Sequence, residues 1–139
     1  MQCQRRLQLT VALENRPGLL ARVAETLAAH AVNIQALCVQ DSVEQGVVRI
    51  LAEPHETGLA ALRGAGFDPI QAEVVVFATS SLPGVLAALA GALAREGINI
   101  EYIYGSEPTG GSAGMTVVVK VSATERALAT IETLSTPRA

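Results

Sequence analysis

The feature that most constrains this chain is an internal repeat at an offset of 66 residues. Pro17-Gly18 recurs as Pro83-Gly84, and Asn33-Ile34 recurs as Asn99-Ile100. Between these anchors Leu20, Ala21, Ala24, Leu27 and Ala28 match Leu86, Ala87, Ala90, Leu93 and Ala94. Alanine and leucine matches are common in a chain of this kind, but the two anchor pairs at one fixed spacing are not. A chain of 139 residues has the length of one ordinary domain. The repeat divides it instead into two units, expected at 1–73 and 74–139.

Each unit has the same pattern of elements. Leu7, Leu9, Val11 and Leu13 alternate with Gln8, Thr10 and Ala12, as in a half-buried strand. Asn15 to Gly18 forms a loop that opens a helix, on which Leu20, Val23, Ala24, Leu27 and Ala31 share one face. Pro17 and Pro83 are expected in the first helical turn, where a missing N–H is tolerated. A strand from Asn33, a turn at 41–46 and a strand over Val47–Leu51 follow. Pro54 then opens a second helix, and Phe67–Ala72 reads as a fourth strand. The order β-α-β-β-α-β predicts an α+β fold, two tandem ferredoxin-like units with antiparallel sheets and helices on one face.

The second unit runs from a strand at Val74–Thr79 through helices at Pro83–Glu96 and Ala123–Leu134. The residues after Leu134 are too few for a strand, and Pro137 disfavours pairing. The second unit is therefore expected to lack all or most of its last strand, leaving an open edge.

Composition excludes several classes. Half the residues are hydrophobic and only 17% are charged, which is incompatible with disorder. A net charge of −3 and an aromatic content of 3% argue against nucleic-acid binding. Val74 to Ala94 is an uncharged run long enough to cross a bilayer, but Ser80, Ser81, Pro83 and Gly84 interrupt it. It reads as strand, turn and helix, so no membrane span is expected. Two cysteines make no disulfide framework, and no apolar stretch follows the basic pair Arg5-Arg6. A cytoplasmic location is expected.

The stretch Glu14-Asn15-Arg16-Pro17-Gly18-Leu19-Leu20, its helix and Val32-Asn33-Ile34 resemble the ACT domain family. The second copy, Leu82-Pro83-Gly84-Val85-Leu86 through Gly97-Ile98-Asn99-Ile100, has the same form. The resemblance implies a stand-alone regulatory protein that binds an amino acid or related small carboxylate at interfaces between units. It implies no chemistry and no cofactor of its own. The implied ligand-binding residues are Asn15, Arg16, Pro17, Gly18, Leu19, Leu20, Asn33 and Ile34 of the first unit. Those of the second are Ser81, Leu82, Pro83, Gly84, Val85, Asn99, Ile100 and Tyr102.

The chemistry of the loops agrees with this independently. A helix start presents unpaired N–H groups and the positive end of its dipole, which suit a carboxylate. Glycine lets a ligand approach the backbone, and Arg16 can pair with a carboxylate. Leu82 replaces Arg16 in the second loop, which favours the first as the tighter anion site. The same residues have simpler uses. Asn15 caps helices well, Arg16 can be merely solvated, and Asn33 and Asn99 suit left-handed turn positions. Tyr102 and Tyr104 line a pocket or fill a subunit interface.

Two other classes compete. Arg16 and Asn33 could be cast in an acylphosphatase-like hydrolase, but the arginine is not duplicated and no catalytic constellation appears. No cysteine or histidine stands at metal-ligating spacing, so no metal site is expected. The stronger rival is an interaction subunit of a separate metabolic enzyme. The apolar strands Val47–Leu51 and Thr116–Val119 suggest that both sheet faces are covered. A homodimer is the expected assembly.

Overall fold

A computed structural model describes residues 1–41, 45–108 and 114–134. The chain forms β1 (Cys3–Glu14), α1 (Leu19–Ala29), β2 (Asn33–Asp41), β3 (Gln45–Glu53) and α2 (His55–Gly64). It continues through β4 (Ile70–Thr79), α3 (Val85–Arg95), β5 (Ile100–Ser106), β6 (Met115–Val121) and α4 (Thr124–Glu132). These are two units of the expected ferredoxin-like kind. Residues Leu7–Ala72 make one compact unit, and Met1–Arg6 with Glu73–Ala139 make the other.

In the Leu7–Ala72 unit β3 lies between β2 and β1, antiparallel to both. Leu9 pairs with Ile50 and Val11 with Val48, so the alternating apolar residues of β1 and β3 share one face. They are closed over by Val23 and Leu27 of α1 and by Leu59 and Leu62 of α2. In the other unit β6 lies between β4 and β5, again antiparallel to both. Val75 and Phe77 of β4 and Val117 and Val119 of β6 meet Leu89 and Leu93 of α3 and Ile131 of α4. Each buried leucine or isoleucine in such a core contributes about 1.5–3 kcal/mol relative to exposure. Ile50, Leu51 and Ala52 are all buried, as are Val117, Val118 and Val119. Both faces of β3 and β6 are therefore covered, as their continuous apolar runs require.

Three local readings are corrected. Both Pro17 and Pro83 precede their helices, because Gly18 and Gly84 are the N-caps of α1 and α3. The expected strands Phe67–Ala72 and Val74–Thr79 merge into one continuous strand, β4, which begins at Ile70 and leaves Phe67 to Pro69 outside it. The left-handed residues after α1 and α3 are Ala31 (φ 55°) and Gly97 (φ 69°), not Asn33 and Asn99.

In chain order no strand follows α4 among the described residues, and 135–139 lie outside them. The strand beside β4 is β1, whose first residues belong to this unit. Met1 and Cys3 pack against the core of the second unit, and Cys3 Sγ lies 3.6 Å from the Leu128 carbonyl. Arg5 pairs with both Glu73 and Glu125. The first residues of β1 thus stand beside β4 in this unit.

Two outcomes follow. Ala31 holds a left-handed conformation that disfavours any Cβ, and its repeat equivalent is glycine. Ala31→Gly should stabilise the protein by about 1 kcal/mol in chemical denaturation. Burial, reinforced by the Glu132 carboxylate, pushes the Cys3 thiol above its ordinary value. Below the ordinary thiol range the group is neutral in both states. Above it the unfolded chain ionises first, so this group lowers stability as pH rises. Iodoacetamide at pH 8 should alkylate Cys3 several-fold more slowly in the native than in the urea-unfolded protein, read by peptide mass spectrometry.

Candidate functional site

Both helix-opening loops share one backbone geometry. Gly18 (φ 90°, ψ −13°) and Gly84 (φ 93°, ψ −10°) take the same left-handed conformation. In the second loop the Val85 N–H donates to the Leu82 carbonyl at 3.3 Å. With Pro83 and Gly84 as its central residues this is a type II turn, in which the third position needs φ > 0. Glycine is therefore required first by the turn. A Cβ built at Gly18 or Gly84 would meet nothing within 4 Å, so the space beside each of these turn residues is open.

The first intrahelical bonds run from the Arg22 N–H to the Gly18 carbonyl (3.0 Å) and from the Ala88 N–H to the Gly84 carbonyl (2.9 Å). The N–H groups of Leu20, Ala21, Leu86 and Ala87 stand ahead of these bonds, at the positive end of each helix dipole. Leu20 and Leu86 occupy equivalent exposed positions beside them.

The side chains of the two loops differ. Arg16 Nε lies 3.3 Å from Glu14 Oε2, and both groups are mostly exposed. Such a pair contributes little to stability. Asn15 does not cap α1, which has no side-chain cap; its Nδ2 donates to Asp41 Oδ2 at 3.0 Å. One carboxylate, Glu14, therefore stands against the cation of the first loop, and another, Asp41, against its asparagine. In the second loop Ser81 Oγ donates to Glu107 Oε2 at 2.9 Å.

The remaining candidates lie elsewhere. Asn33 pairs with Glu53, whereas Asp41, at the other end of β2, stands beside Asn15. At about 3.3 Å per residue, the nine-residue strand separates Asn33 and Ile34 from the first loop. Ile34 packs on the core of its unit. Asn99 and Ile100 hold the matching place at the start of β5, where the Asn99 N–H and carbonyl bond Ser122 at 3.0 Å each. Tyr102 lies part-way along β5, opposite Lys120. Within each unit the structure thus gathers 15–20 and 81–85 at the loop end and leaves the Asn-Ile pairs at the far end.

Sequence reasoning missed a cavity of about 210 Å³ beside the second loop. Val85, Leu86 and Leu89 of α3, Phe77 of β4, Ile103 of β5 and Met115 of β6 line it. No spacing in the sequence announces it, and Gly105, which stands where the first unit has Val39, answers to the close approach of β6, since a Cβ there would lie 2.8 Å from the Thr116 carbonyl oxygen. A wider, open groove runs between α1 and α2, away from the loop, where alanines such as Ala29 and Ala60 alternate with polar residues such as Glu25, Thr26, His30 and Glu56. No group of three or more potential metal ligands occurs among the described residues. No helix among them is long and apolar enough to cross a membrane.

Because Gly84 holds a left-handed turn position, Gly84→Ala should cost about 1–2 kcal/mol in denaturant titration. It should also disturb the entry of α3, visible as chemical-shift changes confined to the second unit.

Comparisons place these features. The chain is similar to the crystal structure of protein BT0572 from Bacteroides thetaiotaomicron, at 28% identity and a TM-score of 0.86, over 94% of this chain and 88% of that one. It shares its fold with the regulatory subunit of aspartate kinase from Thermus thermophilus, at 19% identity and a TM-score of 0.65, over 95% of both chains. The corresponding subunit from Thermus flavus aligns at 18% identity with a TM-score of 0.63, also over 95% of both. No curated protein matches the sequence. The family description "ACT domain pair" matches residues 5–134. With its duplicated βαββαβ units and paired Pro-Gly helix entries, the chain belongs to the ACT domain family, as an ACT domain pair.

Proposed function

We propose that this ACT domain pair is a non-enzymatic regulatory protein of the cytoplasm that binds an amino acid or a similar small carboxylate. One observation carries the reading: the open space beside the turn glycines Gly18 and Gly84, where the two helices begin. A carboxylate there meets main-chain N–H groups and a favourable dipole without displacing a side chain. The loop residues Asn15, Arg16, Pro17, Gly18, Leu19 and Leu20 would form one ligand shell, and Ser81, Leu82, Pro83, Gly84 and Val85 a second. Asn33, Ile34, Asn99, Ile100 and Tyr102 would join a site from a neighbouring unit rather than from the loop's own unit, and a homodimer is the assembly this reading expects.

Binding would act by population shift. The ligand favours one arrangement of the protein, and a partner reads that arrangement through differential affinity.

A second reading has its own support. Leu37 and Val39, on the outer strand β2, are 46% and 50% exposed. Such residues suit an interaction subunit of a separate metabolic enzyme. The Thermus proteins of the same fold are themselves regulatory subunits of aspartate kinase.

Thermal-shift titration with the proteinogenic amino acids tests the first reading, because a specific ligand raises the melting temperature with its concentration. A flat response to all of them, with co-purification of a larger enzyme, would favour the second. Arg16→Ala should weaken binding by about tenfold, the loss of one charge-assisted hydrogen bond, and leave the unliganded melting temperature unchanged. Glu14→Gln, which releases Arg16 from its ion pair, should tighten it. Unchanged affinity in both variants would place the carboxylate away from the first loop.

A further inference from the structure

The helices α1 and α3 match on their buried faces and differ on their outer ones. α3 buries Val85, Leu89, Ala92 and Leu93. At about 100° per residue, its opposite side carries Ala87, Ala90, Gly91 and Ala94, the i, i+3, i+4 and i+7 positions of one face. Ala87 and Ala94 are exposed, and Leu86 on the flank is 57% exposed. From Val85 to Ala94 the helix has no polar side chain. A helix that is apolar all round belongs in an interior, yet this face is open to solvent.

Gly91 is the second observation. Glycine inside a helix weakens it. The fold of this chain does not require it there, because a Cβ at Gly91 would meet only Arg95 Nη1 at 3.4 Å, the end of a flexible side chain. A bare position on an outward helix face permits the close approach of another backbone. The first unit has Glu25 at this place, and Arg22 where α3 has Ala88. Two α1 helices packed on this face would set their Glu25 carboxylates against each other.

Opposite charges mark the two ends of the α3 face. Arg95 is exposed at the end of α3. α4 packs beside α3 and runs the opposite way, with its Arg126 donating to the Glu96 carbonyl just past the end of α3. Glu132, exposed at the end of α4, therefore lies towards the start of α3. A two-fold axis across the middle of α3 brings the Arg95 of each copy to the Glu132 end of the other.

We propose that the outer face of α3 is the contact between two copies of this chain, packed antiparallel about such an axis. Ala87 of each copy meets Ala94 of the other, and Ala90 meets Gly91. With no bulk between them the helix axes approach to about 8 Å, the short end of helix packing. The contact is isologous and closes as a dimer. It rests on the homodimer expected above and gives it a surface. One helix pair buries less than about 1,200 Å², so the dimer is a weak one that dissociates at roughly micromolar concentration.

Sedimentation velocity of the full chain from roughly 1 to 100 μM tests it. The native chain should pass from monomer to dimer over this range. Gly91→Glu removes a helix-weakening residue and opposes two carboxylates at the axis. It should hold or raise the melting temperature of the dilute protein and lower dimer affinity at least about tenfold. Ala28→Glu, on the matching face of α1, should leave dimer affinity unchanged. Arg95→Glu should weaken the dimer several-fold, and adding Glu132→Arg should restore most of the loss. A chain that stays monomeric throughout would overturn both this surface and the homodimer. A dimer that Gly91→Glu leaves intact, that Ala28→Glu disrupts equally, or that the reversed charge pair fails to rescue would overturn this surface alone. The homodimer and the amino-acid reading would then still stand.

Discussion

Helix entry through a left-handed glycine is the constraint on which each unit depends. β1 and β4 each deliver the chain to the end of a sheet, and within a few residues it must reverse and lie back along the helix face. Proline followed by glycine does this at little cost, since proline presets one turn angle and glycine alone takes the next without strain. The reversal brings Val23 and Leu27, or Leu89 and Leu93, onto the apolar face of the sheet. A helix started one residue earlier or later would rotate by about 100° and present other residues to the core. The same turn leaves the leading N–H groups uncovered, so the residue pair that builds the core also prepares a place for an anion.

Much of this was legible because it is local and periodic. The alternation of Leu7 to Leu13, the helical spacing of Leu20 to Leu27 and the two Pro-Gly pairs each point to one element. The repeat then ties the elements into a fold. What was not legible depends on residues far apart in the chain. The packing of Met1 and Cys3 against Leu128 and Leu134 joins positions more than 120 apart, and no spacing rule announces it. The continuity of β4 was hidden because Phe67–Ala72 and Val74–Thr79 each look complete as a short strand. Near the loops, Arg16 reads as a free cation in sequence, but its pairing with Glu14 depends on side-chain geometry.

The two units keep a common frame and differ where the frame tolerates it. The turn glycines, the apolar strand positions and the helix faces match, because changing them would cost core contacts. Leu13 and Thr79, Val39 and Gly105, and Gly46 and Met115 do not match. These positions cluster around the loop end of each unit, at the borders of the core. Duplication thus supplies two scaffolds of equal stability logic, and divergence at a few border positions gives them different surfaces.

The place of residues 1–6 also has a consequence for the order in which the protein is made. Residues Leu7–Ala72 form a contiguous unit that has its whole sequence once Ala72 has left the ribosome. The other unit draws on both Met1–Arg6 and the residues from Glu73 onward. Domains tend to fold as units from the N-terminus during synthesis. Residues 1–6 are therefore made before the strand beside them exists.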